Sequence, residues 1–127
     1  MAPKDRPEVP ADMLSRVRAV MDTLPETYEE PGWVGIRWRV GGATIAHIFG
    51  GEDQLFRIVL HGQPADVVAF EHLGPPYFRA GWGADAIGLV LDGATDWDEV
   101  AELLIESYCT RAPARLVDPL GLPPAPA

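Results

Sequence analysis

Apolar positions along the chain change period more than once, and each change marks a boundary between elements. Leu14, Val17, Met21 and Leu24 recur at helical intervals, which predicts a helix from Asp12 to Leu24 with Asp12 as its cap and Pro25 as its stop. Glu26, Glu29, Glu30, Pro31 and Gly32 then read as a polar, acidic connection. From Trp33 the period becomes two, with Val34, Ile36, Trp38 and Val40 alternating against Gly35, Arg37 and Arg39, so strands are expected up to His61. Glycine at both Gly41 and Gly42 suits the positive φ angles of a type I′ hairpin turn. That turn faces Val40 with Ala43, Trp38 with Ile45, Ile36 with His47 and Val34 with Phe49 on the core side. The other side then carries Gly35, Arg37, Arg39, Thr44, Ala46 and Ile48. After a loop at residues 50–54, a third strand from Leu55 to His61 turns Phe56, Ile58 and Leu60 inward and Arg57, Val59 and His61 outward.

Pro64 suits the first turn of a short helix reaching Leu73, with Gly74 as its left-handed terminator and Pro75-Pro76 as a bend. The segments from Tyr77 to Trp82 and from Ala86 to Leu91 read as one or two further strands. The last helix has the sharpest signal: Asp96 and Glu99 form a capping-box-like start, and Trp97, Val100, Ala101, Leu104 and Tyr108 make an apolar stripe that ends at Arg111. Beyond Pro113 the chain is rich in Pro, Ala and Gly and has little to bury, so a flexible tail is expected from Asp118 to Ala127. The expected organisation is a disordered segment over 1–11, one domain over 12–116 and a flexible tail over 117–127. Its fold class is α+β, an antiparallel sheet of about five strands with the N- and C-terminal helices packed on one face.

Composition narrows the function classes. The chain has 127 residues, 47% apolar and 23% charged, which suits one globular domain. No run approaches the roughly 20 apolar residues that span a bilayer, and Met1 to Pro10 has no apolar signal core, so no membrane association and a cytoplasmic location are expected. Cys109 is the one cysteine, which excludes an intramolecular disulfide and a four-thiolate zinc site; it reads as a small buried hydrophobe on a helix. The formal net charge of −9 repels a phosphate backbone at long range, yet it is unevenly spread. Between Asp96 and Arg111 five acids stand against one arginine, whereas between Trp33 and His61 three arginines stand against Glu52 and Asp53.

Four short motifs occur in order: Leu24-Pro25-Glu26; Trp38-Arg39-Val40-Gly41-Gly42; Pro76-Tyr77-Phe78 with Gly81-Trp82; and Leu103-Leu104 with Glu106-Ser107-Tyr108. In order and spacing they resemble the MmcQ/YjbR family over about Met13 to Leu116. The resemblance implies a fold similar to that of the bacterial frataxin homologue CyaY, with helices from the two chain ends on one face of an antiparallel sheet. It also implies DNA binding, since the family is described as using a double-wing arrangement for that purpose. The chain differs from a basic DNA binder in having one lysine, Lys4, and from frataxins in matching Asp12 and Asp22 of the first helix with Arg16 and Arg18.

Two candidate sites follow. Arg37 and Arg39, joined by Arg57 and His61, form a cationic sheet face that can position DNA phosphates; the same alternation is also what a solvated antiparallel strand shows. Trp33, Tyr77, Phe78 and Trp82 can line a pocket for a planar small molecule or simply close the edge of the core. His47 is expected on the core face as a hydrogen-bonded neutral imidazole. His61, His72 and Cys109 lack metal-ligand spacing, Ser107 sits on a helix and not on a nucleophile elbow, and the glycines lack a phosphate-loop context. No metal, cofactor or catalytic group is therefore expected.

Overall fold

The computed structural model describes residues 6–121. Its elements are α1 (Ala11–Met21), β1 (Tyr28–Pro31), β2 (Ile36–Val40), β3 (Ala43–Gly50), β4 (Phe56–His61), α2 (Pro64–Leu73), β5 (Tyr77–Arg79), β6 (Ala86–Leu91), α3 (Trp97–Arg111) and α4 (Ala114–Val117), followed by a 3-10 turn at Asp118–Leu120. The strands form one antiparallel sheet of six in the order β1-β2-β3-β4-β6-β5. This is the expected α+β architecture with one strand more. The added strand is β1, which occupies part of the segment read as an acidic connection. It puts a carboxylate on each face, Glu29 pairing Arg18 of α1 and Glu30 pairing Arg37 on the other side, so hydrophobic periodicity could not reveal it.

Helices α1 and α3 cover one sheet face. Val17, Met21, Val100, Leu104 and Tyr108 are fully buried there against Trp38, Ile45, Ile48, Ile58, Leu60 and Leu91. Asp96 caps α3 as expected, its carboxylate accepting from the backbone N–H of Asp98 and Glu99. Glu99 does not complete the box; its carboxylate accepts from the Tyr77 hydroxyl instead. For α1 the expected cap is corrected: Pro10 occupies the N-cap with no side-chain hydrogen bond, and Asp12 lies in the first turn. The helix also stops at Met21, three residues earlier than its apolar spacing suggested.

The expected hairpin register holds for one turn and then fails. Val40 faces Ala43 and Arg39 faces Thr44, but a bulge admits Ile45 as an extra residue, so Trp38 faces Ala46, Arg37 faces His47 and Ile36 faces Ile48. A strict register would have placed His47 in the core and Ile48 in water. The bulge exchanges the two, burying Ile48 completely and turning His47 and Phe49 to the open face. The turn itself differs also, since only Gly41 takes a positive φ, 57°, which is the requirement of a type II′ turn and not of type I′.

Ser107 repairs the backbone beside the bulge. The pair after Ala46 and Leu60 would be Ile45 with His61, and the fully buried Ser107 hydroxyl stands between them. It donates to the Ile45 carbonyl at 2.6 Å and accepts from the His61 N–H at 3.0 Å. The chain ends are more ordered than expected. Arg6 donates to the Gly50 carbonyl at 3.2 Å, so residues 6–11 are not a disordered lead; the expectation for residues 1–5 lies outside the described residues. Leu116 of α4 is buried and Leu120 packs on the main core, so structure continues past 117; the expectation for 122–127 lies outside the described residues.

Ser107→Ala would leave the Ile45 carbonyl and the His61 N–H buried without partners, at about 1–3 kcal/mol each. We expect the urea midpoint of the variant to fall accordingly with an unchanged slope; an unchanged midpoint would show that the hydroxyl does not bridge the strands.

Candidate functional site

The sheet face away from α1 and α3 carries a second, smaller apolar cluster. Phe49, Val59, Ala80 and Ala86 are buried in it, with Val34 and Phe78 packed alongside. Phe78 lies over Gly88, where any Cβ would collide with its ring, so a glycine is needed at that position for the aromatic to lie flat on β6. Trp82 extends the cluster outward. Its ring stacks on Phe49 with centroids 5.7 Å apart and sits 5.4 Å from the His47 ring.

Beside this aromatic wall lies a groove of about 670 Å³, lined by Arg6, Trp33, Arg37, His47, Trp82 and Arg111 among others. Its aromatic rim is unusually open to water: Trp33 is 89% exposed and Trp82 54%. The Arg6 guanidinium lies 5.8 Å from the centre of the Trp33 ring, within cation–π range.

The four residues of the expected aromatic pocket are therefore divided. Trp33 and Trp82 share the groove, and Phe78 packs in the cluster next to it. Tyr77 belongs elsewhere: its side chain points to the helix face, against Phe70, with its hydroxyl on Glu99. Alternation along β5 explains the split, because Tyr77 and Phe78 are neighbours in a strand and must face opposite sides.

The four residues of the expected cationic face lie on one side of the sheet, but not as free charges. Glu30 of β1 accepts from Arg37 Nε at 2.6 Å and from Arg39 Nη1 at 3.2 Å. Those two guanidiniums, Arg39 before Arg37, hold the Glu30 carboxyl below the usual range against the effect of its desolvation. Arg57 pairs with Asp53 and holds that carboxyl down at about 2. His61 is 9% exposed, so it is a buried wall residue and not a projecting cation. The missed strand β1 is the reason Arg37 and Arg39 looked unpaired in the sequence.

Both groove histidines are held near neutrality. The His47 Nε2 donates to the Val34 carbonyl, and burial, reinforced by Arg37, pushes its pKa down. His61 Nδ1 accepts from Arg111 Nη1 at 3.2 Å, and the same Nη1 donates to Asp85 Oδ2 at 3.0 Å. Burial, then the Arg111 charge, pushes the His61 pKa down, and Asp85 opposes this in part. Arg111, Asp85 and His61 thus form a three-residue ion and hydrogen-bond cluster at the end of α3. Sequence reasoning had passed over Arg6, Arg111 and Asp85, which come from three distant segments and carry no local spacing signal. Among the described residues no group of three or more His, Cys, Asp or Glu is placed to hold a metal ion, and no helix is long and apolar enough to cross a membrane.

The family model described as YjbR matches residues 22–110. The crystal structure of a Deinococcus radiodurans protein with a DUF419 domain is similar in fold, with a TM-score of 0.64 at 23% identity over 89% of this chain and 91% of that one. No curated protein gives a significant match.

Stability is expected to depend on two desolvated imidazoles, the buried His61 and the half-buried His47. Their folded pKa values lie below the ordinary 6.5, so the unfolded chain binds protons first as pH falls. Their contribution is complete above about pH 6.5 and is withdrawn below it, by at most about 1.4 kcal/mol per pH unit for each. Urea midpoints at about pH 7.5 and 5.5 check this. The drop should be smaller in His61→Gln than in the parent protein, and equal drops would show that His61 takes up its proton as freely folded as unfolded.

Proposed function

The chain belongs to the YjbR family, and from that premise we propose a binding module without catalytic chemistry of its own, whose site is the open-face groove and whose ligand is a planar small molecule stacked on Trp33 and Trp82. The observation that carries this reading is the exposure of the two indoles, 89% and 54%, on the rim of a groove of about 670 Å³. Small-molecule sites run to about 300–1,000 Å³ and combine aromatic walls with a few convergent polar groups, which is what Trp33, Phe49, Trp82, His47 and Arg111 supply. Covering an indole face with an aromatic ring removes apolar surface from water and adds a stacking contact of about 0.5–1.5 kcal/mol.

Duplex DNA fits the site less well. The cations that would meet phosphates, Arg37, Arg39 and Arg57, are committed to Glu30 and Asp53, and a phosphate would have to displace a carboxylate already in place. A formal net charge of −9 acts in the same direction. Acid–base or nucleophilic chemistry also finds little support. His47 and His61 are bonded to Val34 and to the Arg111 cluster, the Ser107 hydroxyl is committed on both sides, and burial pushes the Cys109 thiol up.

Tryptophan emission titrated with naphthamide, a neutral planar probe, tests the reading. Saturable quenching is expected, weakened about tenfold or more in Trp82→Ala, a loss of about 1.4 kcal/mol. Labelled duplex DNA at about 50 mM salt is expected to show no saturable anisotropy change up to tens of micromolar protein. Saturable DNA binding that is lost with salt and in Arg37→Ala/Arg39→Ala, together with no response to naphthamide, would replace this reading with the nucleic-acid one.

A further inference from the structure

We infer that the groove selects for an aromatic carboxylate: a planar ring on the Trp33 and Trp82 surfaces, with its acid group received by the unoccupied N–H groups of Arg111 and Arg6. The inference rests on the groove being a ligand site and adds the charge of the ligand. It follows from counting the donors of the groove arginines.

A guanidinium has five N–H donors. Arg111 uses only Nη1, toward His61 Nδ1 and Asp85 Oδ2. Its Nε and Nη2, the edge that meets a carboxylate in a two-point contact, have no partner among the described residues, and the side chain remains 30% exposed. Arg6 uses Nη1 toward the Gly50 carbonyl and forms no ion pair among the described residues. It stands over one face of the Trp33 ring, which still remains 89% exposed, so a cation is within reach of a ring stacked on that indole. Arg37 differs, because its Nε and Nη2 are both on Glu30, and it contributes charge more than free donors.

The local charge balance agrees. Arg6, Arg37 and Arg111 line the groove and no carboxylate does, a surplus of positive charge along its wall even though Glu30 and Asp85 pair two of the three and Glu8 and Glu52 lie in the adjoining cleft. An anion placed there is attracted by the surplus, whereas a cationic aromatic would meet it unfavourably. The arrangement around Arg111 also fixes its position in advance. Neutral His61 accepts one N–H and Asp85 another, which holds the guanidinium plane and lowers the ordering needed when a ligand arrives. A metal ion is not part of the site, since the groove offers imidazoles already bonded and cations in place of anionic ligands.

The test compares naphthoate with naphthamide, which have the same ring and nearly the same shape but differ in charge. Both are titrated by tryptophan emission at low salt with the parent protein, Arg6→Gln, Arg111→Gln and Trp82→Ala. Naphthoate is expected to bind about tenfold tighter than naphthamide. That preference should shrink severalfold in Arg6→Gln and further in Arg111→Gln, because each change lowers naphthoate affinity more than naphthamide affinity. Arg6 lies outside the helices and strands and makes one part-buried hydrogen bond, to the Gly50 carbonyl, so Arg6→Gln decides the matter if circular dichroism shows that Arg111→Gln has lost its fold. Equal affinity for the two probes, or a preference untouched by the arginine changes, would overturn the carboxylate inference and leave the groove reading standing. Binding of neither probe, or binding indifferent to Trp82→Ala, would overturn both.

Discussion

One buried hydroxyl joins the three parts of this molecule on which the open face depends. Ser107 reaches from α3 into the gap where β3 and β4 cease to bond directly, and it satisfies the Ile45 carbonyl and the His61 N–H together. The bulge at Ile45 would otherwise leave two backbone groups unmet in a dry environment, which is among the less tolerable defects in a core. With the hydroxyl in place the bulge is stable, and the bulge determines that His47 and Phe49 face the groove while Ile48 faces the helices. The same contact sets the distance of α3 from the sheet near His61, and with it the reach of Arg111, one turn further along the helix.

Charge on the open face is organised in tiers. Arg37 and Arg39 share the one carboxylate of Glu30 and Arg57 has that of Asp53, Arg111 is positioned by Asp85 and His61 with donors remaining, and Arg6 has no ion pair among the described residues. Arg6, the cation without an ion pair among the described residues, lies over the exposed Trp33 ring. A face that looked uniformly cationic in the sequence is therefore a surface of mostly paired charges with one receptive end.

Much of the fold was legible because its signals are local. The α3 stripe with its Asp96 cap, the inward set Phe56, Ile58 and Leu60, and the Pro64 start of α2 all follow from spacing and cap chemistry alone. Strand β1 was not legible, because a four-residue edge strand of Tyr, Glu, Glu and Pro carries no apolar alternation. The flipped half of β3 was only half hidden: burying His47 while exposing Ile48 should have signalled a change of register, but the supporting hydroxyl lies 62 residues away. The groove shows the same limit. Trp33 and Trp82 could be singled out as aromatics near turns, whereas their meeting with Arg6 and Arg111 needs four segments folded together.

Glu30 gives the open face a property that dissolved salt could not. It lies on β1, a strand paired on one side only, and it serves two guanidiniums at once. In effect the edge strand is a tethered counterion. A free ion leaves on dilution, but this one has a local concentration fixed by the chain, and it departs only if four residues of backbone pairing depart with it. The potential of the face is then set less by the surrounding electrolyte than by whether its outermost strand is docked.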